Sequence, residues 1–183
     1  MKIQIDDKDF EPLLSYDQIK KRTRFLGIQL NVDYEKKVPV FIGILNGSFI
    51  FMADLMKEVQ ISSEITFIKV SSYQDDRSTG LVKELIGLDE DLQDRDIIIV
   101  EDIVDTGLTL EFIISEIKKQ KPASIAVCTL LFKPSRLKKE IEELRYIGFE
   151  IPHDFVVGYG LDYNGLGRNL RDIYRAVSIP SET

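Results

Sequence analysis

Four branched apolar residues in a row, Ile97 to Val100, leave no polar face for a half-exposed strand. Such a run suits a central strand of a parallel sheet, covered on both sides. The character then changes at once. Glu101, Asp102 and Asp105 place three carboxylates within five residues, and Thr106, Gly107 and Thr109 follow. The spacing predicts a helix over Leu108 to Lys119, with Phe112, Ile113 and Ile117 on one face. In open α/β sheets, ligands bind at the carboxyl ends of the strands.

The turn has a specific chemistry. Gly107 lets the backbone curl so that the amides of Thr106 to Thr109 converge, with two threonine hydroxyls beside them. That point is also the positive end of the next helix, so a phosphate fits there. Carboxylates beside a phosphate repel it by about 4 kcal/mol per unit-charge pair at roughly 4 Å and an effective dielectric near 20. Either a hard cation such as Mg²⁺ lies between them, or the carboxylates face hydroxyls. A ligand with a phosphate, a diol and a metal-bound polyphosphate satisfies both.

Other readings of these residues are weaker. Acidic residues before a helix are often N-caps, but three together exceed that need. Asp105-Thr106-Gly107 is also the tripeptide of aspartic proteases, whose carboxylates work in pairs; here it occurs once, between a strand and a helix. The strand with Glu101-Asp102 could be a Walker B element, but no G-x-x-x-x-G-K-[ST] loop exists to partner it.

The stretch from Val100 to Leu110 resembles the phosphoribosyl-pyrophosphate signature of the type I phosphoribosyltransferases, in the form used by hypoxanthine-guanine phosphoribosyltransferases. Gly148 to Pro152, Phe155 to Tyr159 and Leu161-Asp162-Tyr163-Asn164 with Arg168 resemble the same branch, so the likeness spans roughly residues 40 to 175. It implies an α/β fold: a central, mostly parallel sheet flanked by helices, with a small hood and a flexible lid loop. It also implies purine salvage, transferring a 5-phosphoribosyl group from phosphoribosyl pyrophosphate to hypoxanthine or guanine to give IMP or GMP and pyrophosphate.

The same likeness assigns roles. Glu101 and Asp102 contact the ribose hydroxyls or Mg²⁺, and Asp105, Thr106, Gly107, Leu108 and Thr109 cradle the 5′-phosphate. Asp105 is the general base toward N7 of the purine. Asp162 helps hold a second magnesium, and Arg168 neutralises pyrophosphate beside the Asn46-Gly47 turn. Lys133 donates to the 6-oxo group, Phe155 stacks on the purine, and Val156 and Asp162 border it. Ser72 and Tyr73 belong to the lid. Two positions depart from the pattern: Asn46 and Leu108 stand where the family often has lysine, and Gly165 and Gly167 predict a loose segment before Arg168.

The remaining chain fits this frame. Ser15 with Gln18 is a capping box, and Ile19, Thr23, Leu26 and Leu30 follow at helical spacing, with Gly27 and Asn31 as candidate breakers. Val38 to Leu45 reads as a buried strand, then an Asn46-Gly47-Ser48 turn, then a helix from Phe49 to about Val59 carrying Met52, Leu55, Met56 and Val59 inward. Glu64 to Val70 reads as a strand, Ser71 to Gly80 as a polar lid, and Leu81 to Leu88 as a short hairpin arm. Ser124 to Leu131 is another buried strand; it delivers Lys133 before Pro134 stops regular structure. Cys128 reads as a core residue and His153, the sole histidine, as a surface one.

The 183 residues fit a single domain, 1–183, and no apolar run approaches membrane-spanning length. The start, Met1 to Asp7, lacks a basic flank and apolar core, so a secretory signal is not expected. One cysteine permits no internal disulfide, which suits a cytoplasmic protein. A net charge of −7 argues against an RNA-binding regulator built on the same fold, which needs a basic face. A phosphoribosyltransferase for xanthine or adenine is the nearer rival. The family usually forms homodimers or homotetramers, so self-association is also implied.

Overall fold

The structure, a computed structural model, describes residues 2–74 and 81–177, with the side chains of 71–74 and 81–85 left aside. In chain order the strands are β1 (Ile3–Ile5), β2 (Lys8–Leu14), β3 (Val40–Leu45), β4 (Glu64–Gln74), β5 (Leu81–Ile86), β6 (Asp96–Val104), β7 (Ser124–Phe132), β8 (Leu144–Glu150), β9 (Val156–Val157) and β10 (Ile173–Ala176). The helices are α1 (Tyr16–Asp33), α2 (Phe49–Glu58) and α3 (Leu108–Lys119).

The main sheet has the order β5-β4-β3-β6-β7-β8. All neighbours are parallel except β5, which returns antiparallel along β4. Successive residues of β6 point to opposite faces, and both faces are covered. Ile98 and Val100 pack with Leu26 and Leu30 of α1 and Phe51 and Leu55 of α2. Ile97 and Ile99 pack with Ile113 and Ile117 of α3. The unbroken apolar run is thus the signature of two cores that share one strand.

A second, antiparallel sheet of order β1-β2-β10-β9 forms the hood, with Ile5, Phe10 and Val157 at its centre. Its strands are short, and Pro12 interrupts the apolar alternation of β2, so periodicity alone does not reveal them.

Several boundaries differ from the sequence reading. Gly27 and Asn31 do not end α1, which runs to Asp33 behind a complete capping box at Ser15. Gly27 instead lets α1 meet α2, because a Cβ there would sit 2.5 Å from Cβ of Glu58. Asn31 closes the end of α2: its Nδ2 donates to the Glu58 carbonyl at 3.0 Å and its Oδ1 accepts from the Gln60 amide at 2.7 Å. Strand β4 continues past Val70 to Gln74, so Ser72 and Tyr73 are backbone partners of Lys83 and Val82. The rest of the expected lid, 75–80, lies outside the described residues. Cys128 is buried and His153 exposed, as read from the sequence.

Candidate active site

Because β3, β6 and β7 are parallel, their carboxyl ends open on one edge of the sheet. A cavity of about 350 Å³ lies there, bordered by Gly47, Asp102, Asp105, Lys133, Phe155, Val156, Asp162 and Arg168. Eight of the residues singled out in the sequence therefore meet at one opening. Glu101, Thr106, Gly107 and Thr109 line an adjoining hollow of about 150 Å³, which also reaches Asp105. Asn46 is exposed at the β3 turn, after a cis Leu45–Asn46 peptide, and borders neither. Leu108 borders a separate hollow with Glu111 and Lys138.

The two glycine turns are built differently. Gly107 has φ 79°, the left-handed region that favours glycine, and it begins α3 with no side-chain cap. The amides of the first helical turn therefore face the site without a side-chain competitor. Gly47 is required by proximity instead: a Cβ there would collide with Oδ2 of Asp102. The Gly47 carbonyl also blocks any Cβ at Gly160, whose φ of 103° already demands glycine.

The carboxylates fall into two groups. Burial raises the Glu101 carboxyl well above its ordinary range, and the adjacent Asp102 adds to this. Burial likewise raises Asp102, against hydrogen bonds from Glu101 and the Ile103 amide. Oε2 of Glu101 is buried with no hydrogen-bond partner. Such an orphaned acceptor beside a second carboxylate suits a bound cation or a hydroxyl donor. Among the described residues no group of three metal-ligating side chains is preassembled. Magnesium does not need one, since it keeps water and takes one or two carboxylates together with substrate phosphates.

Asp105 is held the other way. Partial burial opposes its charge, but hydrogen bonds from Arg136 and Lys133 outweigh this and keep the carboxyl below its ordinary range. Nζ of Lys133 lies 3.0 Å from Oδ2, and Nε of Arg136 lies 2.9 Å from Oδ1. Lys133 is only 5% exposed. A buried ammonium with a single carboxylate partner is held at the mouth of the cavity, where a ligand carbonyl can accept a hydrogen bond from it.

Phe155 is 47% exposed and stands edge-on to Tyr163, with Lys8 over both rings. Val156 pairs with Arg175 of β10, so the hood carries this wall of the cavity. The segment before Arg168 is not loose. Gly160 and Arg168 bond through Gly160 N to Arg168 O, and the guanidinium donates to the Gly160 carbonyl at 2.7 Å and to Asp162 at 2.6 Å. Gly165 and Gly167 supply positive-φ turns, and Tyr163 and Leu166 pair across the first of them. Arg136 went unread in the sequence; a basic residue just past the proline-stopped strand was its only signal.

A model of the phosphoribosyl transferase domain matches residues 13–164. The chain is 44% identical over 159 residues to the hypoxanthine-guanine phosphoribosyltransferase of Bacillus subtilis, covering 86% of this chain and 88% of that one. It is 44% identical over 170 residues to the hypoxanthine phosphoribosyltransferase of Escherichia coli, covering 91% and 95%. A crystal structure of a hypoxanthine phosphoribosyltransferase from Staphylococcus aureus superposes with a TM-score of 0.83 at 43% identity, covering 91% of each chain. With the acidic strand end, the uncapped turn at Gly107 and the Lys133–Phe155 opening on one sheet edge, the chain belongs to the phosphoribosyl transferase domain family, in the branch of the hypoxanthine-guanine phosphoribosyltransferases.

Proposed function

We propose that this chain is a purine-salvage enzyme, a single phosphoribosyltransferase domain that transfers the 5-phosphoribosyl group from phosphoribosyl pyrophosphate to hypoxanthine or guanine. The products are IMP or GMP and pyrophosphate. The observation that carries the reading is the pairing of Lys133 with Asp105 opposite the half-exposed ring of Phe155. One flat apolar wall, one donor and one acceptor at a cavity mouth match an oxo-purine, which offers a ring face, a 6-oxo acceptor and an N7 proton.

In the reaction, N9 of the purine attacks C1 of the ribose as the bond to pyrophosphate breaks. Asp105 accepts the N7 proton; its two cations keep it ionised but weaken it as a base, so departure of Lys133 to the purine would restore basicity. Lys133 donates to the 6-oxo group; the 6-amino group of adenine cannot accept that bond, so discrimination follows from an unmet donor. Phe155 stacks on the base and the backbone at Val156 meets its edge. The free amides at Gly107 to Thr109 and the hydroxyls of Thr106 and Thr109 hold the 5′-phosphate, while Glu101 and Asp102 face the ribose diol. Glu101, Asp102 and Asp162 would hold Mg²⁺, which would supply charge neutralisation to the pyrophosphate. Arg168 is held beside Asp162 by one ion-pair contact and by the Gly160 carbonyl, and would bring its positive charge to the pyrophosphate. Positioning and charge complementarity carry most of the rate.

Steady-state rates with hypoxanthine, guanine, xanthine and adenine test this reading: turnover confined to the 6-oxo purines supports it, and inactivity on hypoxanthine and guanine removes it. We further assign Ser72 and Tyr73, on the β4–β5 arm, to the element that closes over the reacting atoms. We also assign the chain to the cytoplasm, as a homodimer or homotetramer. Exposed Ile65 and Phe67 on β4 support self-association, which light scattering would measure. No described helix is long and apolar enough to cross a membrane.

A further inference from the structure

Asp105 carries two cations, one on each oxygen. If Lys133 turns to a purine carbonyl, Oδ2 is vacated and only Arg136 still holds the carboxylate. The two cations differ in what fixes them. Lys133 reaches Asp105 from just past the end of β7, at the edge of the cavity, where a purine carbonyl competes for its ammonium. Arg136 sits in a short 3₁₀ turn, Pro134–Arg136, which is tied down on both sides of Asp105. The Lys133 amide donates to the Val104 carbonyl at 3.0 Å, and the Lys138 amide donates to the Thr106 carbonyl at 3.2 Å. Leu137 packs over Gly107, where a Cβ would meet its Cδ1 at 2.8 Å. The backbone around Arg136 is thus tied to the turn that bears Asp105, and its guanidinium reaches Oδ1, the oxygen that Lys133 does not use.

We propose that Arg136 is a positioning residue for phosphoribosyl transfer: it clamps Oδ1 of Asp105 so that Oδ2, once released by Lys133, faces the purine N7. The inference rests on the roles proposed above for Asp105 and Lys133. Without Arg136, Lys133 would be the sole partner of a partly buried carboxylate, and leaving it would strip that group of every charged neighbour it touches. The base would then be both less well aimed and harder to free. A monodentate clamp through Nε is also something a lysine can partly replace, since its ammonium reaches the same oxygen.

The test uses the full chain with hypoxanthine and phosphoribosyl pyrophosphate, measuring kcat and both KM values for Arg136→Ala, Arg136→Lys, Asp105→Asn and the double variant Asp105→Asn/Arg136→Ala. Arg136 is well exposed, so its removal should leave folding intact, which circular dichroism checks. The expected result is a fall in kcat of about tenfold or more for Arg136→Ala, the size of a lost charge-assisted hydrogen bond. The KM for phosphoribosyl pyrophosphate should stay within about twofold, Arg136→Lys should recover most of the loss, and the loss should vanish in the Asp105→Asn background. A normal kcat for Arg136→Ala alongside a crippled Asp105→Asn overturns the inference alone. An equal loss from Arg136→Ala in both backgrounds does the same. Normal turnover of Asp105→Asn removes the base role, and the clamp with it.

Discussion

Glu101 and Asp102 lie only a few residues from Asp105 on one strand end, yet their charges are treated in opposite ways. The first two are adjacent, with Asp102 buried and Oε2 of Glu101 enclosed, and both carboxyls are raised. Asp105 carries two cations and is lowered. The difference teaches that residue type does not set function within an acidic cluster; burial and the nearest fixed charge do. One end of the cluster suits a cation or a hydroxyl donor. The other is an ionised carboxylate whose basicity rises when one of its cations leaves.

The strongest way to break this contrast is Asp105→Asn, which keeps the shape and removes the acceptor. It is expected to slow turnover on the order of 10² to 10⁴-fold, with little change in the KM for phosphoribosyl pyrophosphate; unaltered single-turnover rates would place the base elsewhere. Next comes Lys133→Ala. It should lower kcat/KM for hypoxanthine and guanine by about 10- to 100-fold and shrink the preference over adenine, and selectivity that survives would show that another group reads the 6-position.

Gly47→Ala attacks the buried end, because its methyl must displace Asp102. A stability loss of about 1–3 kcal/mol in urea is expected from overpacking, together with a raised KM for phosphoribosyl pyrophosphate. The smallest effect should come from Glu101→Gln. A raised folded-state carboxyl binds its proton more tightly than in the unfolded chain, so ligand-free stability falls as pH climbs from the ordinary carboxylate range through the raised one. Gln should flatten that fall and lift the ligand-free Tm at neutral pH by a few degrees, roughly what 1 kcal/mol gives in a chain of this size. Asp105 predicts the reverse slope: its stabilisation is present above the ordinary range and fades as pH drops through its lowered value. A Tm–pH curve in which Glu101→Gln and Asp105→Asn shift the same limb would erase the contrast.

Much of the parallel sheet was legible because burial on both faces writes itself into uninterrupted apolar runs. Helix α3 and the box at Ser15 were read to the residue, since caps and periodicity are local. The hood was not, because three- and four-residue strands such as β1 and β10 gain their order from distant partners. Gly27 and Asn31 were misread for a related reason: both look like breakers along the chain and act as contacts across it. In the site, the signature placed Asp105 and Gly107, but Arg136 became visible only when β7 brought its loop over that turn.

The contact between the Gly47 carbonyl and Gly160 joins two loops that stand more than a hundred residues apart. Anyone exchanging the stretch around Phe155 to Arg168 for that of a relative, to retune which base is accepted, will be transplanting half of a hinge plate. The graft should seat only if residues 45–48 travel with it.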